Sequence, residues 1–310
     1  MNYLVTGGAG FVGSKIADKL ITSGHTVVII DNLKTGYLRN INSAAIFIEG
    51  DCSDVNIIAK LNNYQFDAIL HIAGQSSGEV SFEDPVYDIN SNTVSTLLLL
   101  QYAVKTNCKR FIYASTMSVY GQQPDKICFS ENDQTSPLSF YAVGKLASEE
   151  YLKIYANCYG INFTALRYFN IYGPDQNLDN LKQGMISIYL KQLIDTSFKS
   201  IVVKGSLERF RDFIYIDDVV SITTSFIHQT TTFNQIINIG TGKKTTVGEL
   251  LSLLKENIKT EKVIEFYSGT PGDQFGIFAD NRKLKTLYTA PLKSIESGIK
   301  LFCDFALQQK

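Results

Sequence analysis

Histidine is scarce in this 310-residue sequence, and the three present (His25, His71 and His228) stand apart. So small and scattered a set gives a His-rich metal centre little material, and no metal site is expected; the histidine count leaves carboxylate-bound magnesium untouched. The five cysteines (Cys52, Cys108, Cys128, Cys158 and Cys303) are odd in number, far apart and without a Cys-x-x-Cys pair. A disulfide framework is therefore not expected, and a reducing cytoplasm is the default location. Neither sign of charge dominates: 29 basic against 30 acidic residues leave a formal balance of −1. A surface that coats nucleic acid needs an excess of Lys and Arg, so no nucleic-acid partner is expected. No apolar run approaches the roughly 18 residues that read as a membrane span, so no membrane insertion is expected either. The start does not read as a signal peptide. What is present is a globular composition, 45% apolar and 19% charged, at a length suited to one large domain or two modest ones.

The first 170 residues alternate strand and helix signals. Asn2–Thr6 is a short apolar run leading into glycines and a helix-like stretch that ends near Ser23-Gly24. Thr26–Asp31 reads TVVIID, a continuous β-branched run typical of a strand buried on both faces. Segments 45–49, 68–73, 110–115 and 162–167 repeat that pattern, with helical candidates at 53–61, 93–106 and 141–159. Such alternation implies right-handed βαβ crossovers, hence a doubly wound Rossmann-type α/β fold with a parallel sheet. After Gly173-Pro174 the rhythm loosens. Helices are expected at 185–193, 217–227 and 246–257, the last opened by the capping-box pattern Thr246-x-x-Glu249. Short strands are expected at 201–203 and 236–239. We therefore expect a dinucleotide-binding domain over 1–172, with later contributions from about 212–240, and a smaller mixed α/β substrate lobe over 173–310.

The turn after the first strand reads Gly7-x-x-Gly10-x-x-Gly13, a dinucleotide-binding pattern. Glycine lets the turn tighten and the backbone approach a pyrophosphate, while the helix that follows offers unpaired N–H groups to phosphate charge. Asp31 ends the second strand, 18 residues beyond Gly13, where a carboxylate can accept from a ribose 2′-hydroxyl and repel a 2′-phosphate. NAD is the expected cofactor. Asp51 is open between an adenine contact and a turn, and His71 reads as an interior histidine. At the other end of this half, Tyr141-x-x-x-Lys145 puts a phenol and an ammonium on one helical face. The cation favours phenolate, and oxidised nicotinamide would add to its effect, making Tyr141 a base toward an alcohol. Thr116, at the mouth of the strand ending Ser115-Thr116, can reach the same oxygen.

These motifs, with His71-Ile72-Ala73-Gly74, Ser115-Thr116-Met117-Ser118-Val119-Tyr120-Gly121 and the run from Leu166 to Pro174, occur in a fixed order along the chain. As a set the chain resembles the extended short-chain dehydrogenase/reductase family, and within it the nucleotide-sugar epimerases, nearly end to end. The resemblance implies that Tyr141 takes the proton of a sugar 4-hydroxyl, that Lys145 holds the nicotinamide ribose and that Thr116 shares the hydrogen bond. C4 of a nucleotide-diphosphate sugar is then oxidised, turned over as a 4-keto species and reduced on its other face. It implies NAD contacts at Gly7, Gly10, Phe11, Val12, Gly13, Asp31, Asn32, Asp51, Cys52, Ala73, Tyr141 and Lys145. It implies substrate contacts at Ser76, Ser77, Thr116, Tyr141, Asn170, Arg211 and Asp273, with Asn92 either structural or functional. It further implies a homodimer formed through a four-helix bundle of helices 93–106 and 141–159, and a place in polysaccharide biosynthesis.

Four positions depart from, or refine, that pattern. Met117 and Ser118 stand where sugar-nucleotide dehydratases carry Asp-Glu, which argues against elimination. Thr270 precedes Pro271-Gly272-Asp273 where an arginine usually grips the diphosphate, leaving Arg209, Arg282 or another cation as substitutes. Ile277 stands where some epimerases place a bulky tyrosine, leaving N-acetylated sugars open. Two alternatives remain: a nucleotide-sugar 4-dehydrogenase that releases the keto product, and a non-catalytic NAD-binding sensor or scaffold.

Overall fold

The computed structural model describes residues 1–123, 126–269 and 274–309. The chain divides into two compact units. The first is formed by Met1–Val119, Ser139–Arg167 and Val220–Ile237, the second by Tyr120–Leu138, Tyr168–Val219 and Asn238–Lys310.

A seven-stranded sheet organises the first unit. Across it the strands run Gln235–Ile239, Asn162–Tyr168, Arg110–Thr116, Ala68–His71, Asn2–Thr6, Thr26–Asp31 and Ile46–Glu49. The order reverses beside Asn2–Thr6, and that strand is parallel to both neighbours. This is the topological switch point at which doubly wound sheets bind ligands beyond their strand ends. The β-branched runs follow from their surroundings. Leu4, Val28, Ile30, Ile69 and Phe111 pack with Leu99, Tyr102 and Leu152 from the helices Ser95–Lys105 and Phe140–Tyr159. The alternate residues Tyr3, Val5, Ile29, Leu70 and Ile112 are equally buried, so both faces of the central strands are covered.

Several expected boundaries shift. Helix 93–106 begins as an α-helix only at Ser95, after a helical turn Pro85–Ile89 and a π-helical segment Asn90–Val94. Asp84 caps the first turn and Pro85 opens it, a start that the apolar spacing alone did not reveal. Helix 53–61 is an α-helix only over Val55–Ala59, capped by Asp54. Strand 68–73 stops at His71, where the chain leaves the sheet toward Gly74.

A buried ion pair fixes the long helix. Arg167 donates from Nε and Nη2 to the two carboxylate oxygens of Glu149 at 2.9 and 2.7 Å, and the Ser115 hydroxyl donates to the same carboxylate at 2.5 Å. Both charged side chains are buried. The helix is capped by Ser139, whose Oγ accepts from the Ala142 amide, and stopped by Gly160 at φ +67°. Deeper along the same strand, Arg110 is buried without a carboxylate partner among its hydrogen bonds. It donates to the carbonyls of Asn162, Phe226 and Ile227 and to the hydroxyls of Thr164 and Thr232. It thereby pairs carbonyls that lie just beyond the helix Ile216–Ser225.

The second unit is mixed. Thr245–Thr246, Phe210–Arg211, Gly276–Ala279 and Cys128–Phe129 form a four-stranded sheet with one antiparallel pairing. Two parallel pairs stand beside it, Asn170–Tyr172 with Phe213–Tyr215 and Ser200–Lys204 with Val263–Tyr267. The Thr246/Glu249 capping box is formed as the spacing indicates. A helix at Ile295–Gln308 was not anticipated. It packs through Gly298, where a Cβ would lie 2.0 Å from the Tyr172 hydroxyl. Among the described residues no helix is long and apolar enough to cross a membrane.

Glu149→Gln should leave the Arg167 guanidinium buried without its counter-charge and lower unfolding stability by about 3–5 kcal/mol, read as a shift of the urea midpoint. A shift of a few tenths of a kcal/mol would show the pair to be dispensable.

Candidate active site

The glycine turn is built for close approach. Gly7 has φ +71°, and a Cβ there would lie 2.7 Å from the Ala73 amide nitrogen. A Cβ on Gly13 would lie 2.1 Å from the Gly7 carbonyl oxygen. Gly10 is the N-cap of the helix Phe11–Thr22, whose first turn has neither a side-chain cap nor an acidic residue. The leading amides of Phe11, Val12 and Gly13 therefore lack side-chain competition for an anion. Asp31 closes the turn from the next strand: its Oδ2 accepts from the Ala9 amide at 3.0 Å and its Oδ1 from Leu33 at 2.8 Å. Burial pushes its carboxyl above the usual range, against those two amides, and nearby Asp51 adds to the rise.

Asp51 forms a turn, its Oδ1 accepting from both the amide and hydroxyl of Ser53, while its Oδ2 accepts from Asn32 at 2.7 Å. Burial acts upward on it, but these donors and Lys34 prevail and hold it below the ordinary value. Cys52 is buried, and burial first, then Asp51 and Asp31, pushes its thiol up. Ala73 donates its amide to Thr6 Oγ1 at 3.2 Å. The same hydroxyl lies 2.8 Å from His71 Nδ1, with Ser95 Oγ 3.2 Å from Nε2. Burial and then the Lys145 charge hold His71 far below its usual pKa, so it is the neutral interior histidine that its place in the strand suggested.

At the C-terminal end of the central strands, Thr116, Tyr141 and Lys145 come together. Thr116 is buried at the last position of its strand; its hydroxyl donates to Ser118 Oγ at 3.2 Å and accepts from the Ser118 amide at 3.1 Å. Lys145 is 3% exposed, donates to the Ala114 carbonyl at 2.9 Å and sits 4.9 Å from the centre of the Tyr113 ring. Burial pulls its pKa down to about 8, with Asp88 acting against the fall. The expectation that Tyr141 is depressed is not met in the chain by itself. Burial raises its phenol to about 12, a hydrogen bond with Thr116 opposes the rise, and Asp88 adds to it. Desolvation of the anion outweighs the Thr116 hydrogen bond because the phenol is withdrawn from water.

Ser76 is exposed, whereas Ser77 is buried as the cap of the helix Gly78–Glu83, accepting from the Val80 amide. Gln75 ties this loop down: its Nε2 donates to the Ser77 carbonyl at 2.7 Å and its Oε1 accepts from the Ser77 amide. Sequence reasoning missed Gln75 and Asp88. The only signal was an acid one turn before Asn92, within a segment whose helical character was not seen. Asn92 itself is fully buried, with an amide that donates to the Gln75 carbonyl and to Asp88.

In the second unit, Asn170 binds the Asp212 carbonyl through both its backbone and side-chain nitrogens. Arg211 is buried and donates to the carbonyls of Phe210, Gln274 and Phe275. Asp212, to which the sequence assigns no role, accepts from the Thr241 amide and hydroxyl and from the amides of Gly242 and Ala279. Arg209 is buried and donates to the Lys204 carbonyl, whereas Arg282 is 85% exposed and paired with Asp280. Ile277 is buried in its strand. Thr270, Pro271, Gly272 and Asp273 lie outside the described residues. Among the described residues no group of three or more His, Cys, Asp or Glu is placed to hold a metal ion.

The NAD dependent epimerase/dehydratase family model matches residues 3–240. The UDP-glucose 4-epimerase of Mycolicibacterium smegmatis is 32% identical, over 98% of this chain and 98% of its own length. The crystal structure of UDP-glucose 4-epimerase with UDP-glucose from Thermotoga maritima superposes with a TM-score of 0.95 at 33% identity, covering 100% of this chain and 99% of that one. The Thermus thermophilus UDP-glucose 4-epimerase complex with NAD gives a TM-score of 0.92 at 29% identity, covering 99% of each chain.

Gly13→Ala should force its methyl onto the Gly7 carbonyl and lower stability by about 1–3 kcal/mol, measured as a drop in thermal midpoint. An unchanged midpoint would mean that the turn can open.

Proposed function

This chain belongs to the NAD dependent epimerase/dehydratase family, and we propose that it is an NAD-dependent 4-epimerase of a UDP-sugar, working through a transient 4-keto sugar. The observation that carries this reading is the hydrogen bond of Thr116 with Tyr141, one helical turn before the buried Lys145, in the same unit as a glycine turn that has no room for a side chain. The cradle at Gly7 and Gly13, the uncapped first helix and the strand-end carboxylate of Asp31 fit a dinucleotide. We assign the pyrophosphate to the amides of Phe11, Val12 and Gly13, and the adenosine ribose to Asp31, with Asn32, Asp51, Cys52 and Ala73 lining the cofactor.

NAD, when bound, supplies the reversible hydride acceptor for C4. Tyr141 takes the 4-hydroxyl proton and returns it, Thr116 holds the same oxygen, and Lys145 keeps a positive charge beside the phenol. With the phenol at about 12 in the chain alone, the cation and the Thr116 hydrogen bond must favour phenolate when the site is filled. Ser76, Ser77, Asn170, Arg211 and Asp273 are assigned to the nucleotide sugar. The product fits the supply of activated sugars for polysaccharide biosynthesis, and the five unpaired cysteines fit a reducing cytoplasm.

The apolar side chains left exposed on neighbouring helices support a homodimer. Val86 and Ile89 are 67% and 50% exposed, and Phe140 and Val143 49% and 52%. The helical-bundle surface is thus assigned to the 85–89 turn and the 140–159 helix, while Leu99, Leu100 and Tyr102 of the following helix are in the core. Light scattering should give twice 34.6 kDa, and Val86→Glu with Val143→Glu should give the monomer; a monomeric parent would refute the dimer.

Incubation with UDP-glucose and NAD should yield UDP-galactose by NMR. Tyr141→Phe should lower kcat by about 10²–10⁴-fold with NAD still bound. Stoichiometric NADH with a keto sugar and no inverted product would favour the 4-dehydrogenase instead.

A further inference from the structure

Asp88 is a buried carboxylate with no part in the chemistry set out above. It is 1% exposed and lies on the turn Pro85–Ile89 that precedes the π-helical segment. Its Oδ1 accepts from Gln75 Nε2 at 2.8 Å and from Asn92 Nδ2 at 3.1 Å. Its Oδ2 faces the helix that carries Lys145, 3.5 Å from where a Cβ on Gly144 would stand. Glycine in that helix costs about 1 kcal/mol relative to alanine; a Cβ here would lie a tight 3.2 Å from Thr93 Oγ1, while Asp88 Oδ2 stays at ordinary van der Waals distance.

The π-helical segment completes the arrangement. The Asn92 carbonyl is taken by the hydroxyls of Thr96 and Ser148 at 2.7 and 2.9 Å, which fixes the residue from two helices. Its side-chain Oδ1 is buried and has no hydrogen-bond partner among the described residues. A Cβ on Gly74 would lie 2.4 Å from that oxygen and 3.0 Å from Lys145 Nζ. Amide oxygen and ammonium thus crowd one point that only glycine leaves open. Asp88 binds the Asn92 amide nitrogen, and the Asn92 oxygen and Lys145 Nζ both lie close to Gly74.

We propose that Asp88 is a positioning residue whose negative charge keeps Lys145 protonated and whose hydrogen bonds seat the 75–77 loop. Three observations agree: the shared oxygen that binds Gln75 and Asn92, the approach at Gly144, and the upward pull of Asp88 on Lys145 against burial. Burial raises Asp88 itself, but Gln75, Lys145 and Asn92 all stabilise its anion. The other ionisable groups are accounted for by element. On the helix Phe140–Tyr159, Tyr141 feels the Asp88 charge, and Glu149 is paired with Arg167. On the neighbouring strands, His71 faces Lys145 and the Tyr113 ring lies beneath it. Glu79 and Glu83 belong to the helix packed beside the turn, and Tyr87 to the turn itself.

The sign follows. Lys145 is held low by burial and lifted by Asp88, so removing the carboxylate charge must lower the pH at which the ammonium is lost. This inference deepens the epimerase reading and rests on it for the role of Lys145, but its first test needs neither substrate nor cofactor. The Lys145 side-chain Cε resonance, identified by its loss in Lys145→Arg, is followed through pH by NMR in the parent, in Asp88→Asn and in Asp88→Glu. Asp88→Asn should titrate at least one pH unit lower, and Asp88→Glu should move back toward the parent. An unchanged midpoint in Asp88→Asn overturns the proposal, whatever the enzyme is found to catalyse. If Asp88→Asn does not fold, Asp88→Ser removes the same charge and admits water, and the same shift is expected of it.

In turnover, the alkaline limb of kcat/KM should move to lower pH in Asp88→Asn and not in the same change made on Lys145→Arg, whose guanidinium does not titrate in this range. A uniform loss of rate at every pH would reduce Asp88 to a structural role. A parent that fails to epimerise UDP-sugars sinks the functional reading and leaves the NMR result to decide on Asp88.

Discussion

The burial of one carboxylate, Glu149, constrains the geometry of the whole reaction end. It is fully enclosed and is neutralised by Arg167 from one strand and hydrogen-bonded by Ser115 from the next. Desolvating two charges is costly unless their geometry is nearly ideal, so the helix that bears Glu149 has little freedom to roll or slide. Lys145 and Tyr141 are one and two turns earlier on that face. Fixing Glu149 therefore fixes the height at which phenol and ammonium stand over the end of the Thr116 strand. The pair acts as a register device, and its value lies in the geometry it enforces as much as in stability.

The same logic runs through the polar interior of the first unit. Each buried polar group near the site is used to hold a piece of backbone that has left regular structure. Gln75 holds the loop before the helix Gly78–Glu83, Thr6 holds Ala73, and Asp31 holds the glycine turn. Glycine appears where a close approach leaves no space, at Gly7 and Gly74. Sheet, turn and helix are thus assembled by close backbone contacts that polar side chains then lock. The electrostatic result is a site whose ionisable groups are set mainly by burial: Lys145 is drawn down and Tyr141 pushed up. Both shifts oppose the charged forms, so the site relies on nearby charge and hydrogen bonding to restore them.

Much of this was legible in the sequence for a definite reason. Runs such as TVVIID have one physical home, a strand covered on both faces, and the seven-stranded sheet supplies it. Gly7, Gly10 and Gly13 are meaningful because they follow the first strand directly, and Tyr141 and Lys145 because their spacing places them on one helical face. The segment 78–94 was not legible. Its short helices are set by Ser77, Asp84 and Pro85, and its π-helical turn depends on Asn92 being gripped by Ser148 from a distant helix. The helix Ile295–Gln308 likewise depends on a contact at Tyr172.

By itself the sequence determined the strand and helix periodicity, the glycine turn and the pairing of Tyr141 with Lys145, because each depends on neighbours within about one helical turn or one strand. Only the tertiary structure decided the protonation of those groups and the identity of their supports. Burial depth, the Glu149–Arg167 pair and the approach of Asp88 to the Lys145 helix join residues from 18 to 57 positions apart. Desolvation and Coulomb energies depend on distance through space, which the order of residues along a chain does not specify.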